Sequence, residues 1–513
     1  MQLANLSTYL LPIAVILPLV GLVLDIFHSR WKLAKGAVGV STIFALTSWI
    51  LMLTHHVAPW SINWLRQDLL NVTMLVLISF ISFIVLCYAK TNFEADSDNR
   101  RFLRWFLLTV YAVMVTVSSN NLIVFWLAWV GISLGMHKLL MFYPERYRAT
   151  LAAHKKYIFA RFAEICLAVA FFLLYSHHNT LLISEILNEY PTASLVWQDQ
   201  IAALLLALAA LIKCAQLPLH GWLIQVVESP TPVSALMHAG VINMGGFLLL
   251  LFAPLFSQSQ IAQWMVLLIA GLTTVIAALV MMTRISIKVR LAWSTIAQMG
   301  LMLVECALGL YSLAFLHLIA HSCYKAYAFL NSGSAVDDAI QKNYVLATKP
   351  SRLNWLVSTI FTLGLLASLH MIVGLSLPIS PWLLIGFAMA FTLAARLNQP
   401  KSLSLIKSLA QCIGLLASYY LLKTFFGAML PTVSHAFILA EDLWVSMLFL
   451  GLLAMYLLLQ YRPSHIYARK LFIALNAGFY LDEWATRITL KIWPISLPKN
   501  AVQTRLSLFE VKK

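Results

Sequence analysis

A chain of 513 residues that is 61% hydrophobic and only 11% charged is not a soluble globular protein, in which about a quarter of residues carry charge. Basic residues exceed acidic ones by 16. In a soluble chain that excess would suggest nucleic acid, but here the basic residues fall where membrane topology puts them, so membrane lipid and not nucleic acid is the expected surrounding. No Lys or Arg precedes the first apolar run, while Arg30, Lys32 and Lys35 follow it; that run reads as a retained span and not a cleaved leader.

Apolar runs of spanning length predict an all-α integral membrane protein with about fifteen transmembrane helices. They lie near 7–27, 34–54, 69–89, 102–119, 121–143, 157–176, 199–222, 231–254, 261–283, 290–310, 312–331, 353–373, 376–395, 402–425 and 436–460. The odd-numbered connections hold basic clusters such as Lys90, Arg100 and Arg101, or Arg284, Lys288 and Arg290. The even-numbered ones hold only Arg66. Basic loops stay in the cytoplasm, so the N-terminus is expected outside and the C-terminus in the cytoplasm. Four regions follow: N-terminal helices over 1–100, a core over 101–335, C-terminal helices over 336–460, and a tail over 461–513 with an interfacial or partner-docking character. The six cysteines are scattered singly with no zinc-finger spacing, so no metal or cofactor site is expected in this chain.

Some spans carry ionisable residues that cost roughly 2.5–3.5 kcal/mol each at the bilayer centre. The first such stretch is "RFAE", where Arg161 and Glu164 stand three apart on one helix and can pair. In "ALIKCAQLPLHGWL" Lys213 precedes Pro218, which removes a helix hydrogen bond, and Gly221. A broken helix is expected near Pro218, with Lys213, Gln216 and His220 to one side. Irregular backbone at membrane depth survives only where protein or water satisfies it, and a buried lysine exchanges its proton under modest electrostatic influence. The next span opens "VESPTPVSALMHAG", with Glu228 at its cytoplasmic edge and His238 about two turns inside. Glu305 has no charged neighbour on its own helix. The following stretch, "LHLIAHSCYKAYAFLNSG", sets His317, His321 and Lys325 four apart on one face. A proton relay through Glu305, His317, His321 and Lys325 is the expectation, since histidine can donate and accept at once. The pairs His55–His56 and His177–His178 read as exposed residues of outside loops.

The motifs "KCAQLPLHGWL", "ESPTPVSALMHA", "STIAQMGLM" and "HLIAHSCYKAYAFLNSGS" resemble the antiporter-type subunits of respiratory complex I and of multisubunit sodium/proton antiporters. Within that superfamily, "HAGVINMGGFLLL" and "GFYLDEW" are most similar to the DabB family, the membrane subunits of bacterial inorganic-carbon accumulation complexes. The resemblance implies a multi-pass protein of the bacterial inner membrane. It also implies a large cytoplasmic DabA-type partner related to β-carbonic anhydrases, which carries the zinc, and use of the proton motive force to drive CO2 hydration there. By position, Lys213 matches the superfamily's lysine in a broken helix, and His238 matches the basic residue of the next span. His317, His321 and Lys325 match its second half-channel, and Arg161 and Glu164 its basic–acidic pair. Two departures stand out. Val130 occupies the place of the glutamate usual in "W-E-G", and residues 353–395 contain no Lys, Arg, Asp or Glu.

Three functions are compatible with these residues. The leading one is a proton-conducting subunit, itself no enzyme, that energises inorganic carbon accumulation. The others are a subunit of a cation/proton antiporter or complex I-like pump, and an anchor whose polar residues only pack.

Overall fold

The computed structural model describes residues 2–28, 31–54, 58–94, 96, 98–190, 195–334, 349–373, 378–397, 402–430 and 437–494. His55, His56, Arg30 and Lys342, and the end of the tail from 495, lie outside them. The chain is a multi-pass membrane protein. Among the described residues, eleven helices are long and apolar enough to span a bilayer.

The first helices are α1 (Gln2–His28), α2 (Trp31–Leu53), α3 (Leu69–Asn92), α4 (Asn99–Ser118) and α5 (Leu122–Leu140). A short hairpin, β1 (Trp60–Ser61) with β2 (Arg66–Gln67), precedes α3 and is a small exception to an all-helical chain. Asp68 caps α3 through the Asn71 amide at 2.8 Å, which offsets an otherwise unpaired donor at the helix start. Arg104 on α4 does not reach for the membrane edge as a lone basic residue would; its Nε donates to the buried Asp25 of α1 at 3.2 Å.

The core continues with the long α6 (Tyr147–His178), a short α7 (Ile183–Glu189) and α8 (Trp197–Lys213). Helix α8 stops at Lys213, and the stretch without α-helix that follows contains Pro218, so the break falls where it is expected. Ala215 adopts a left-handed conformation with φ of 52°. The Gln216 amide then reaches the Leu211 carbonyl at 3.0 Å and the Ala215 amide reaches Ile212 at 3.1 Å. This is the paired closure that ends many helices, built here on alanine instead of glycine. Helix returns only at α9 (Gly221–Gln225). Lys213, Gln216 and His220 therefore do not share a helix face, which corrects the expectation.

The next predicted span is also not one regular helix. It comprises α10 (Thr231–Leu236), a wider turn over Met237–Val241 in which the Ile242 amide bonds the Met237 carbonyl, and α11 (Met244–Leu251). Such single wide turns occur often at functional positions, and His238 sits in this one. After a short α12 (Ala253–Phe256) come α13 (Gln260–Met282), α14 (Ile287–Ala307) and α15 (Tyr311–Leu330). Then follow α16 (Arg352–Val373), α17 (Ser380–Arg396), α18 (Ser402–Gly427) and α19 (Leu439–Tyr461). The tail folds as α20 (Ile466–Asn476) and α21 (Glu483–Ile492).

Close approach of α8 and α11 depends on Gly245. A Cβ there would stand 2.5 Å from Cys214 Sγ and 2.7 Å from the Ala210 carbonyl oxygen, contacts that no packed structure tolerates, whereas one at Gly36 meets nothing within 4 Å. Overpacking a dense interior costs about 1–3 kcal/mol. Gly245→Ala is therefore expected to lower the thermal unfolding midpoint of the detergent-solubilised protein, and Gly36→Ala to leave it in place.

Candidate proton-translocation site

Helix α6 supplies one half of the site. Its Lys155, Lys156, Arg161 and Glu164 fall within three turns, and α5 lies against them. Arg161 Nη2 donates to Glu164 Oε1 at 2.7 Å and to Ser133 Oγ at 2.9 Å. The Arg161–Glu164 pair thus forms as its spacing implies. Ser133 also takes Lys156, whose Nζ donates to the serine carbonyl at 2.6 Å. Lys213 reaches the same place from the end of α8, its ammonium 4.4 Å from the centre of the Trp129 ring. An aromatic face partly replaces the water that a cation loses on burial.

Lys213, Glu164, Lys156 and Trp129 border a cavity of about 30 Å³, roughly the volume one water occupies in the liquid. Glu164 on α6 brings a carboxylate to the cavity that Lys213 enters. Val130 on α5 offers no carboxylate, and the acidic group that borders the lysine's cavity comes from α6.

The second half is built on α14 and α15. His317 Nδ1 donates to Glu305 at 3.0 Å, and its Nε2 stands 2.8 Å from Gln298 Oε1. Glu305 therefore finds its partner on the following helix, as expected. It also borders a cavity of about 190 Å³ with Tyr419, Ser380 and Phe449 on the far side. The His317 and His321 rings are 6.3 Å apart between centres, too far for a direct hydrogen bond. Lys325 does not bond His321; its ammonium is held by the Leu291 carbonyl at 3.0 Å and by the Ser294 hydroxyl. The stripe lies on one face, but it is not a continuous hydrogen-bonded ladder: four-residue spacing aligns side chains without bringing their polar tips into contact.

His238 lies between α14 and α15, with Nδ1 3.1 Å from Thr295 Oγ1 and its ring stacked on Phe329 at 4.3 Å. His238 Nε2 and both ring nitrogens of His321 are buried without a hydrogen-bond partner. Buried polar atoms are nearly always paired, which sets these imidazoles apart from the satisfied groups around them. Met237, Val241 and Ile242 wall the Lys213 cavity on the His238 side. The two halves meet at the wide turn. Glu228 lies apart, half-exposed and 3.7 Å from Arg148, so its influence is that of a surface pair.

Several participants left no clear mark in the sequence: Lys156, Ser133, Gln298, Ser294 and Thr295. So did Glu441, whose carboxylate is buried with both oxygens unpaired. Each becomes recognisable only through a partner on another helix. His177 and His178 correct another expectation. They end α6 instead of lying in a loop, and the His178 side chain is 1% exposed.

The tail holds the largest surprise. Asp482, just ahead of α21, accepts from Lys155 Nζ at 2.6 Å and from Gln225 Nε2 at 3.2 Å. The Lys155 side chain is fully buried. Trp493 stacks on His154 at 3.9 Å. Burial pushes the Asp482 carboxyl above its usual range, against the pull of Lys155. The tail thus docks on its own chain at the end of the broken helix. Gly221 makes room for it, since a Cβ there would overlap the Asp482 carboxylate.

A bundle with a broken helix ending on a buried lysine, flanked by a histidine–lysine face, defines a class: the antiporter-like membrane subunits. The transmembrane family described as "NADH:quinone oxidoreductase/Mrp antiporter, TM" matches residues 119–371. The Mrp complex of Dietzia sp. DQ12-45-1b contains a chain that superposes with a TM-score of 0.60 at 20% identity, over all of this chain and 62% of that one, which speaks to the fold alone. Within the class, this chain belongs to the DabB family. It is 49% identical over 438 residues to the probable inorganic carbon transporter subunit DabB of Hydrogenovibrio crunogenus, with 85% of each chain covered. It is 36% identical to the probable subunit DabB2 of Halothiobacillus neapolitanus, over 83% of this chain and 80% of that one. Subunit L of the NADH-quinone oxidoreductase of Rhodobacter capsulatus is more distant, 30% identical over 63% of this chain and 50% of its own length.

The Lys155–Asp482 pair gives a test of the docked tail. Groups in direct contact couple by 0.5–3 kcal/mol. A double-mutant cycle of Lys155→Ala and Asp482→Asn, read from unfolding of the solubilised protein, is expected to give about 1.5–3 kcal/mol of coupling. Gly221→Ala should expose the segment around 480–490 to limited proteolysis.

Proposed function

We propose that this chain is the proton-conducting membrane subunit of an inorganic-carbon accumulation complex in a bacterial inner membrane. A large cytoplasmic zinc-containing partner of DabA type would carry out the CO2 hydration. The observation that carries this reading is the pair of buried titratable clusters, one on α6 and α8 and one on α14 and α15, with the His238 turn between them. Each contains a lysine and carboxylate or imidazole groups, and one sits at a broken helix. A chain that only anchored a partner would have no need for them, since each buried charge costs stability.

In this reading a proton enters from the outside at the Glu305–His317 pair, next to the cavity that borders Glu305. It passes to His321 and Lys325 through water held between the rings, then to His238 beside Thr295. It reaches Lys213 and Glu164, whose charges respond to one another across a shared space. Arg161 sets how strongly Glu164 draws the lysine's proton. Release toward the cytoplasm follows Lys156 and Lys155 to Asp482. Passage biases the partner's zinc chemistry toward net bicarbonate formation.

A second reading, a cation/proton antiporter subunit, is favoured by the fold shared with the Mrp chain. The absence of charged residues in 353–395 counts against it, because a second exchange step needs a charged group to drive release.

The test is growth at air levels of CO2. Groups that move protons at a catalytic step contribute about 10²–10⁴-fold. Lys213→Ala, His321→Ala and Lys325→Ala should therefore each cut bicarbonate uptake by about 10²-fold and abolish growth in air, with growth rescued at high CO2. Normal growth in air for all three variants would leave anchoring as the function. A requirement for sodium would point to the antiporter.

A further inference from the structure

Beyond the proton route lies a cluster that the function above does not use. It stands at the end of α6 and α8 remote from the docked tail, the end that the basic-residue pattern assigns to the outside. His177 and His178 close α6, Asn179 turns the chain with a left-handed φ of 53°, and Asp199 sits in the first turn of α8. His177 Nδ1 is 3.1 Å from Asp199 Oδ2, and His178 Nε2 is 3.4 Å from Asp199 Oδ1. One donor atom from each of the three residues lies within 4.8 Å of the others. Two ligands at 2.0–2.1 Å on a tetrahedral zinc ion are about 3.3 Å apart, so the observed spacings need little adjustment.

The environment of His178 separates this cluster from an ordinary hydrogen-bond network. Its Nδ1 donates to Glu189 Oε2 at 2.6 Å. With its proton on Nδ1, the ring turns Nε2 toward Asp199 and toward the Tyr190 hydroxyl, 2.9 Å away. A carboxylate behind a histidine is the arrangement that orients metal-bound imidazoles and raises their basicity. The Asp199 side chain is 1% exposed, as is His178. The buried Asp199 carboxylate, with two imidazole nitrogens beside it, is an anion that a protonated His178 or a bound metal cation would neutralise. The C-terminal end of α6, with its unpaired carbonyls, adds negative potential at the same spot. His177, 30% exposed, leaves a way in from solvent.

We propose that His177 Nδ1, His178 Nε2 and the Asp199 carboxylate form a site for a divalent transition metal of the zinc class, with the fourth position beside the Tyr190 hydroxyl. Two imidazoles and one carboxylate suit zinc or its neighbours and not calcium or magnesium, which take oxygen ligands. The ion would staple the ends of α6 and α8, the helices that carry Glu164 and Lys213. Glu189 is a positioning residue.

The test uses the full-length protein in detergent, washed with chelator and titrated with Zn2+ against a chromophoric competitor, with bound metal counted by mass spectrometry. One equivalent is expected for the wild type, none for Asp199→Asn or His178→Ala, and about 10–100-fold weaker binding for Glu189→Gln. Bound Co2+ should give visible bands of nitrogen–oxygen ligation that vanish in His177→Ala. Metal-free melting shows whether each variant is folded; should the Asp199 and His178 variants fail to fold, Glu189→Gln and His177→Ala decide. If the wild type takes up no zinc, or if folded variants bind it as tightly, the cluster is a hydrogen-bond network only and the proposal is wrong.

Discussion

A positive charge in hydrocarbon must be solvated by the protein that carries it, and Lys213 shows how this chain meets that demand. The helix stops on the lysine, so the side chain is freed from the regular helix surface. An indole face, a carboxylate from α6 and a space of about 30 Å³ replace its water. The closure at Ala215 depends on the same stop, because the helix-end carbonyls of Leu211 and Ile212 find partners only when the chain turns back. Left unsatisfied at membrane depth, each would cost several kcal/mol.

Helix α14 is the second organising element. It carries Thr295 toward His238, Ser294 and the Leu291 carbonyl toward Lys325, and Gln298 and Glu305 toward His317. His317 and Lys325 of α15 and His238 bond to groups on α14 and not to one another, although α15 also packs directly on the wide turn, where Phe329 stacks on His238. Where polar tips stay apart, as between His317 and His321, the groups are not locked into one closed hydrogen-bond network.

The docked tail connects the site to the protein's surface. Asp482 and Trp493 sit on Lys155 and His154, one turn of helix from the residues bordering the Lys213 cavity. The outward side of the tail still presents Tyr467, Phe472 and Ile473, so the segment has one face committed to this chain and another free for contact.

Much of this was legible in the sequence because membrane burial is a harsh filter. Apolar runs of spanning length predict helices, and each predicted interval falls on helical segments. The spacing of Arg161 and Glu164, and the common face of His317, His321 and Lys325, followed from helix geometry alone. Lys213 stood out as a lysine within an apolar span just ahead of Pro218, and the resemblance then matched it by position. What the sequence could not decide is everything that depends on partners distant along the chain. The tail's pairing of Asp482 with Lys155 joins residues more than 300 positions apart. The break falls around Pro218 as expected, but the last helical residue is Lys213 because the Ala215 turn and its carbonyl partners set the stop. His177 and His178 read as loop residues until α8 brought Asp199 against them. Local periodicity determines which face a side chain occupies; only the packing of whole helices determines what that face meets, and with it the electrostatics on which proton transfer depends.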